Sequence, residues 1–288
     1  MLEPHVEVAV RARAECGEGP LWDPDANAVH WVDILAGKIL TTDYLDGSTS
    51  VISYPQMVGA AAPRAHGGFV GAVASGFVAI SQAGITQRID CLPEGIRMND
   101  AKVDPAGRYW AGSCAYDFAE GKGGLWRLDQ EWNAELILSS LTQPNGLGWS
   151  PDGATFYLVE TQARTLHRYH YDALGGVLDP SPDLVVGADQ FPPGLPDGLA
   201  VDSRGHLWIT MFGGSAVHEF TPEGELVRTL DIPTLQTTSC MFVGPDLDEL
   251  WVTSAADGLT ADQDPHAGSI FRVTGLGVAG LPVPRFGG

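Results

Sequence analysis

The feature that most limits how this chain can fold is a sixfold internal repetition. Segments made of a short strand, a tight turn and an apolar strand begin at Trp22 (WDPDANAVHWVD), Ala62 (APRAHGGFVGAV), Val103 (VDPAGRYWAGS), Trp149 (WSPDGATFYLVE), Val201 (VDSRGHLWITM) and Val243 (VGPDLDELWVTS). Successive starts lie 40, 41, 46, 52 and 42 residues apart. Each unit continues to a further strand: KILTTDY, GITQRID, GGLWRLD, TLHRYHYD, SAVHEFT and GSIFRVT. Short strands at such a period, without helical periodicity, specify propeller blades, because each blade buries its faces only against its neighbours. The expected fold is an all-β, six-bladed β-propeller with its functional site in the central channel. It forms one domain over residues 1–288, since no Ser/Gly/Pro linker interrupts the repeat. VEVAVRARA near the N-terminus alternates like a strand and lacks a partner in its own unit. It is expected to close the ring on the last blade and so remove the exposed edges.

Charge excludes several function classes. The 16 basic and 36 acidic residues give a formal net charge of −20, which repels nucleic acid and anionic lipid and attracts cations. The longest weakly polar run, GGFVGAVASGFVAI, is too short to span a bilayer and is sized for two buried strands. No Lys/Arg-headed apolar stretch opens the sequence as given. Cys16, Cys91, Cys114 and Cys240 have neither Cys-x-x-Cys spacing nor the density of a disulfide framework. The expectation is a reduced, cytoplasmic protein, a monomer or weak homo-oligomer, whose partner is a small molecule.

Familiar motifs fail on context. GLGVAG at Gly275 to Gly280 matches a dinucleotide fingerprint, but only eight residues follow it and no helix can present its N-terminus to a phosphate. DPDAN from Asp23 resembles the start of a calcium loop, yet Ala28 and Ile34 stand where Gly and Glu are required, so it reads as a hairpin turn. There is no Gly-x-Ser-x-Gly elbow and no His-Glu-x-x-His; His167 and His170 are expected to alternate on an outer strand.

The informative signal comes from one position read across all six units. In LPDGLAVDSRGHLWITM the chain reverses at Ser203-Arg204-Gly205, so the earlier Asp197-Gly198 pair falls at a strand start and is redundant as a turn. The matching residues of the other units are Glu18, Val58, Asn99, Asn145 and Ser239. Rotation about the propeller axis aims carboxylate or amide oxygens from four units at one point of the channel. Glycine follows at Gly19, Gly59, Gly146 and Gly198, allowing close backbone approach. Converging carboxylates repel unless a cation lies between them. Oxygen donors without Cys or His suit one divalent cation, calcium first, with zinc, manganese or magnesium as alternatives. Glu18, Asn145 and Asp197 are the expected ligands, with Asn99 beside them. The competing reading is a hydrogen-bonded plug that holds the blades in register.

CGEGPLW around Glu18, RMNDAKVDPAGRYWAGS from Arg97, PNGLGWSPDG around Asn145 and PDGLAVDSRGHLW around Asp197 resemble, in order and over the full chain, the senescence marker protein, gluconolactonase and luciferin-regenerating enzyme family, which includes regucalcin. That resemblance implies a six-bladed propeller with one divalent metal in the channel and hydrolysis of a sugar lactone, an aldonolactone, to the aldonic acid. It implies Glu18, Asn145 and Asp197 as metal ligands and Asp197 as general base; Asp100, a second carboxylate nearby in the sequence, is the other candidate base. It implies Arg97, Asn99 and Asp117 as substrate-binding residues. Asp117 stands where regucalcin-like members carry a Glu, and Ala101 where a Gly is usual. Two further functions remain open at this level: a phosphotriesterase-like hydrolase, and a non-catalytic calcium-binding regulator.

Overall fold

The computed structural model describes residues 3–288, and in it the repeat becomes six sheets around a channel. Strand β1 (His5–Val10) comes first in the chain but belongs to the last blade. Blade one comprises β2 (Gly17–Asp23), β3 (Ala28–Asp33), β4 (Lys38–Asp43) and β5 (Thr49–Ser53). Blade two comprises β6 (Val58–Pro63), β7 (Phe69–Val73), β8 (Gly76–Ser81) and β9 (Gly84–Asp90). Blade three comprises β10 (Ile96–Val103), β11 (Tyr109–Ala115), β12 (Gly123–Leu128) and β13 (Ala134–Leu141). Blade four has β14 (Pro144–Trp149), β15 (Thr155–Glu160) and β16 (Thr165–Asp172), with β17 (Val177–Leu178) and β18 (Asp183–Val186) both pairing with β16. Blade five comprises β19 (Leu195–Val201), β20 (Leu207–Phe212), β21 (Ala216–Phe220) and β22 (Leu226–Asp231). Blade six has β23 (Thr237–Val243), β24 (Glu249–Ser254) and β25 (Ile270–Thr274), completed by β1. As the sequence leads one to expect, β1 closes the ring, antiparallel to β25 with His5 opposite Thr274 and Val8 opposite Phe271.

One strand falls elsewhere than its unit suggests. GITQRID is the exposed outer strand β9, and the third strand is GFVAIS, because an Ala74-Ser75 turn splits the apolar run into the hairpin β7–β8. His167 and His170 lie on β16, the third strand of blade four. GLGVAG is irregular chain, ending in a bridge between Gly280 and Asp202.

The recurrent Asp of the turns does two things at once. Asp104 Oδ1 accepts from the Ala106 and Arg108 amides, both at 2.9 Å, and its Oδ2 accepts from Trp110 Nε1 at 3.1 Å. Asp202 repeats this with the Arg204 and His206 amides and with Trp208 Nε1. The carboxylate thus fixes the hairpin and anchors a fully buried indole between blades.

Every innermost strand carries a bulge at the same height. In blade one, Glu18 lies opposite Val32 and Leu21 opposite His30, so one residue is extra on β2. The same shift falls between Val58 and Ala60, Met98 and Ala101, Pro144 and Leu147, Pro196 and Leu199, and Thr237 and Cys240. A bulge re-aims side chains out of the ordinary pleat, here into the channel. The ring residues are therefore set within the innermost strands, not ahead of them, and the strand of Asp197 starts at Leu195. Glycine beside them is a packing requirement. A Cβ on Gly146 would lie 2.5 Å from the Leu199 nitrogen and 2.6 Å from the Asp197 oxygen, and one on Gly198 would lie 2.3 Å from Ser239 Oγ.

The C-terminal chain crosses the lower mouth of the channel from Gly280 beside Asp202 to Phe286 beside Arg64. A cavity of about 280 Å³ lies there, with Lys102, Trp149, Met241 and Pro282 in its wall.

Candidate active site

At the opposite mouth is a cavity of about 250 Å³, lined by Glu18, Arg97, Asn99, Asn145 and Asp197. Strands β2, β10, β14 and β19 supply these side chains from four blades, Arg97 from the regular register just before the β10 bulge and the others at the bulges. All are buried; the most exposed of them, Arg97, shows 9% of its surface. Apolar wall comes from Ile34, Leu35, Phe118, Leu195 and Phe212.

The polar groups hold one another in fixed directions. Arg97 Nη1 donates to Met98 O at 3.0 Å and to Asn99 Oδ1 at 2.9 Å, and Asn99 Nδ2 donates to Pro144 O at 3.1 Å. Asn145 Nδ2 donates to Thr161 Oγ1 at 3.1 Å and to Asp197 Oδ1, while Asn145 Oδ1 is buried with no partner. Asp100, 2% exposed, accepts from the Ala101 amide through Oδ1 and leaves Oδ2 unpartnered. Asp100 does not line the cavity, whereas Asp197 does.

Electrostatics follow from this burial. Desolvation, then the charges of Asp197 and Asp100, push the Glu18 carboxyl well above its ordinary range. Desolvation and the Asp100 charge do the same to Asp197. Three carboxylates with little water around them, and an orphaned amide oxygen among them, fit a hard divalent cation held by Glu18, Asn145 and Asp197. The Cys16 thiol in the wall is raised well above its ordinary range by burial, then by Glu18 and Asp197.

Asp117 is exposed and accepts from the Ala119 amide at 3.1 Å, capping a turn after β11; its neighbour Phe118, at φ 55°, enters the cavity wall in its place. Sequence reasoning did not single out Thr161, which orients Asn145, nor the wall residues Gln143 and Gln162, whose amides pair at 2.9 Å. These stand at strand ends, where no repeat marks them.

A second cluster has ligand-type atoms but another purpose. Asp202, His206 and Glu219 place such atoms within 4.8 Å of one another. Arg204 pairs with Asp202 and Glu219 at 2.7 Å each, and Arg228 Nε stands 3.1 Å from Glu219, so guanidinium groups already compensate the carboxylates.

Six blades around a channel whose bulges converge oxygen donors under a small cavity define a six-bladed propeller with a candidate site in its channel. The model of the SMP-30/Gluconolactonase/LRE-like region matches residues 16–256, and the chain belongs to that family. It is 34% identical to regucalcin from Bos taurus over 96% of both chains. It is also 34% identical to a pentonolactonase from Haloferax volcanii, covering 94% of this chain and 93% of that one. The solved structure of a calcium-binding protein, regucalcin, from Agrobacterium tumefaciens superposes with a TM-score of 0.91 at 27% identity, covering 97% and 96%.

Proposed function

We propose that this protein is a divalent-cation-dependent lactonase that opens the ester ring of a sugar lactone to the aldonic acid. The observation that carries the reading is the unpartnered Asn145 Oδ1, buried beside the Asp197 carboxylate under a cavity of about 250 Å³. Family membership and the pentonolactonase relative support the substrate class.

Glu18, Asn145 and Asp197 hold the cation, calcium first given the all-oxygen donor set, with zinc, manganese or magnesium able to occupy it. Bound there, it supplies Lewis-acid polarisation of a carbonyl oxygen. Arg97 Nη2 and Nε make no hydrogen bond to the described protein, and these donors bind lactone oxygens while the Asn99 contact fixes the guanidinium plane. Ile34, Leu35 and Phe212 cover the C–H faces of the ring and exclude bulk water. Asp197 takes a proton from the water that attacks the carbonyl carbon, and the ring oxygen leaves as a hydroxyl once protonated. This role falls to Asp197 because Asp100 lies outside the cavity wall. Asp117 stands exposed beside the mouth with Oδ1 engaged by the Ala119 amide, which leaves Oδ2 for substrate hydroxyls. A cytoplasmic location, with the four cysteines free, is part of this proposal.

The test is proton release, followed with a pH indicator, on five- and six-membered aldonolactones and one phosphotriester, with chelator and after readdition of each cation. Lactone turnover that chelator abolishes supports the reading. Turnover of the phosphotriester alone makes the protein a phosphotriesterase-like hydrolase. No turnover by cation-loaded protein leaves the regulator.

A further inference from the structure

Lys102 lies on β10 just beyond the bulge that holds Asp100, and its side chain lines the lower cavity of the channel. Its ammonium crosses from blade three to blade five and donates to the carbonyl of Leu199, two residues after Asp197 on β19. The charges facing it are those of Asp100 and Glu18; the nearby Cys240 thiol is kept neutral by burial. Asp100 Oδ2 has no hydrogen-bond donor, so Lys102 compensates that carboxylate through space alone.

The charge count of the channel follows. Glu18, Asp100 and Asp197 bring three negative charges when ionised, and Arg97 and Lys102 bring two positive ones, leaving −1. Asp257 stands at the exposed rim, where water screens it, and the buried Asp33 and Glu160 carboxylates accept from the Glu15, Cys16 and Thr142 amides and are not among the charges that act on Lys102. A divalent cation turns −1 into +1. Without Lys102 the loaded channel is neutral.

We propose that Lys102 is a fixed cation in the channel floor that keeps the loaded site positive, loosening its grip on the divalent cation and tightening its grip on an anion. This rests on the cation-binding reading above. Lys102 touches neither cation nor substrate, and so is a positioning residue acting through charge. A merely structural role weakens both affinities together or leaves both alone, whereas a charge role moves them in opposite directions.

The experiment is calorimetric titration of calcium into chelator-stripped protein, and of gluconate, as the probe anion, into calcium-loaded protein. Lys102→Met is expected to bind calcium at least about tenfold more tightly and gluconate about tenfold more weakly, as Coulomb's law gives for a unit charge removed from a poorly solvated site. Lys102→Gln, which keeps a donor for the Leu199 carbonyl, should match it and serves if Lys102→Met does not fold. Lys102→Met/Asp100→Asn, which restores the charge count, should return both affinities toward wild type. Calcium affinity that is unchanged or weaker in the neutral variants overturns the proposal, as does loaded wild type that takes up no gluconate. Wild type that binds no calcium overturns both this proposal and the cation-dependent reading. Wild type that binds calcium, with the variants unmoved, overturns this one alone.

Discussion

The side-chain amide of Asn145 donates to Thr161 Oγ1 at 3.1 Å and to the Asp197 carboxylate, which commits its nitrogen and leaves its oxygen buried without a partner. Thr161 thus sets which end of the amide faces the ring of donors. Thr161→Val keeps the volume and removes the acceptor. Calcium affinity is expected to fall about tenfold, the usual cost of removing the group that orients a metal ligand. Calorimetry reads this, and unchanged affinity would sink the assigned orientation.

Asp197→Asn separates chemistry from folding. The Asn keeps the shape and removes both the base and a ligand charge, so lactone turnover is expected to drop by about a thousandfold or more. In chelator the variant should melt at the wild-type temperature or above, because a carboxyl disfavoured by desolvation has been replaced by a neutral amide. Retained turnover in a folded variant would remove Asp197 from the mechanism.

The packing that brings the ring together is testable at two neighbouring glycines. Gly146→Ala drives a Cβ against the backbone of β19, which cannot yield, and is expected to cost about 1–3 kcal/mol and to lower calcium affinity by displacing Asp197. Gly148→Ala meets only the tips of Leu199 and Val201 at 3.0 Å, and should be milder in thermal melting. Equal melting temperatures would mean that the blades do not approach as tightly as the geometry shows.

These positions also show what the sequence made legible. The blade repeat was readable because each unit carries its own turn punctuation, Asp104 and Asp202 most plainly, and that punctuation is local chemistry. The channel set was readable for the same reason: Glu18, Asn99, Asn145 and Asp197 occupy one repeat position. The bulges were not, because a bulge exists only in a pairing between two strands. Thr161 acts through a contact 16 residues distant, and Lys102 through a carbonyl 97 residues away. The loop after β11 eluded the sequence differently, since an Asx turn holds Asp117 in solvent and sets the partly exposed Phe118 at the cavity mouth, a choice made by backbone conformation.

Glu219 is wholly buried and faces Arg204, Arg228 and His206. Glu219→Gln keeps the shape and removes the carboxylate that faces the Arg204 and Arg228 guanidinium groups, so it is expected to destabilise the protein by about 1–3 kcal/mol in urea unfolding. Calcium stoichiometry should stay as in wild type. Loss of one bound ion per chain would show that the cluster is a second cation site after all.

Two blades share a cross-strand pair that makes stability depend on pH. His30 on β3 lies opposite Thr41 and His218 on β21 opposite Thr229, with Nδ1 to hydroxyl distances of 2.9 and 3.0 Å. Burial lowers both imidazoles below the ordinary 6.5, against an opposing pull from Asp23 on His30 and from Asp231 on His218. Below 6.5 the unfolded chain therefore binds protons that the folded protein refuses, and each histidine's contribution is lost as pH falls through that window. His218→Gln should be less stable than wild type at about pH 7.5 and lose less on acidification to about pH 5.5, since it has no imidazole to charge. Urea midpoints at both pH values, in saturating calcium, measure the difference; parallel pH slopes for wild type and variant would exclude His218 as a source of acid sensitivity.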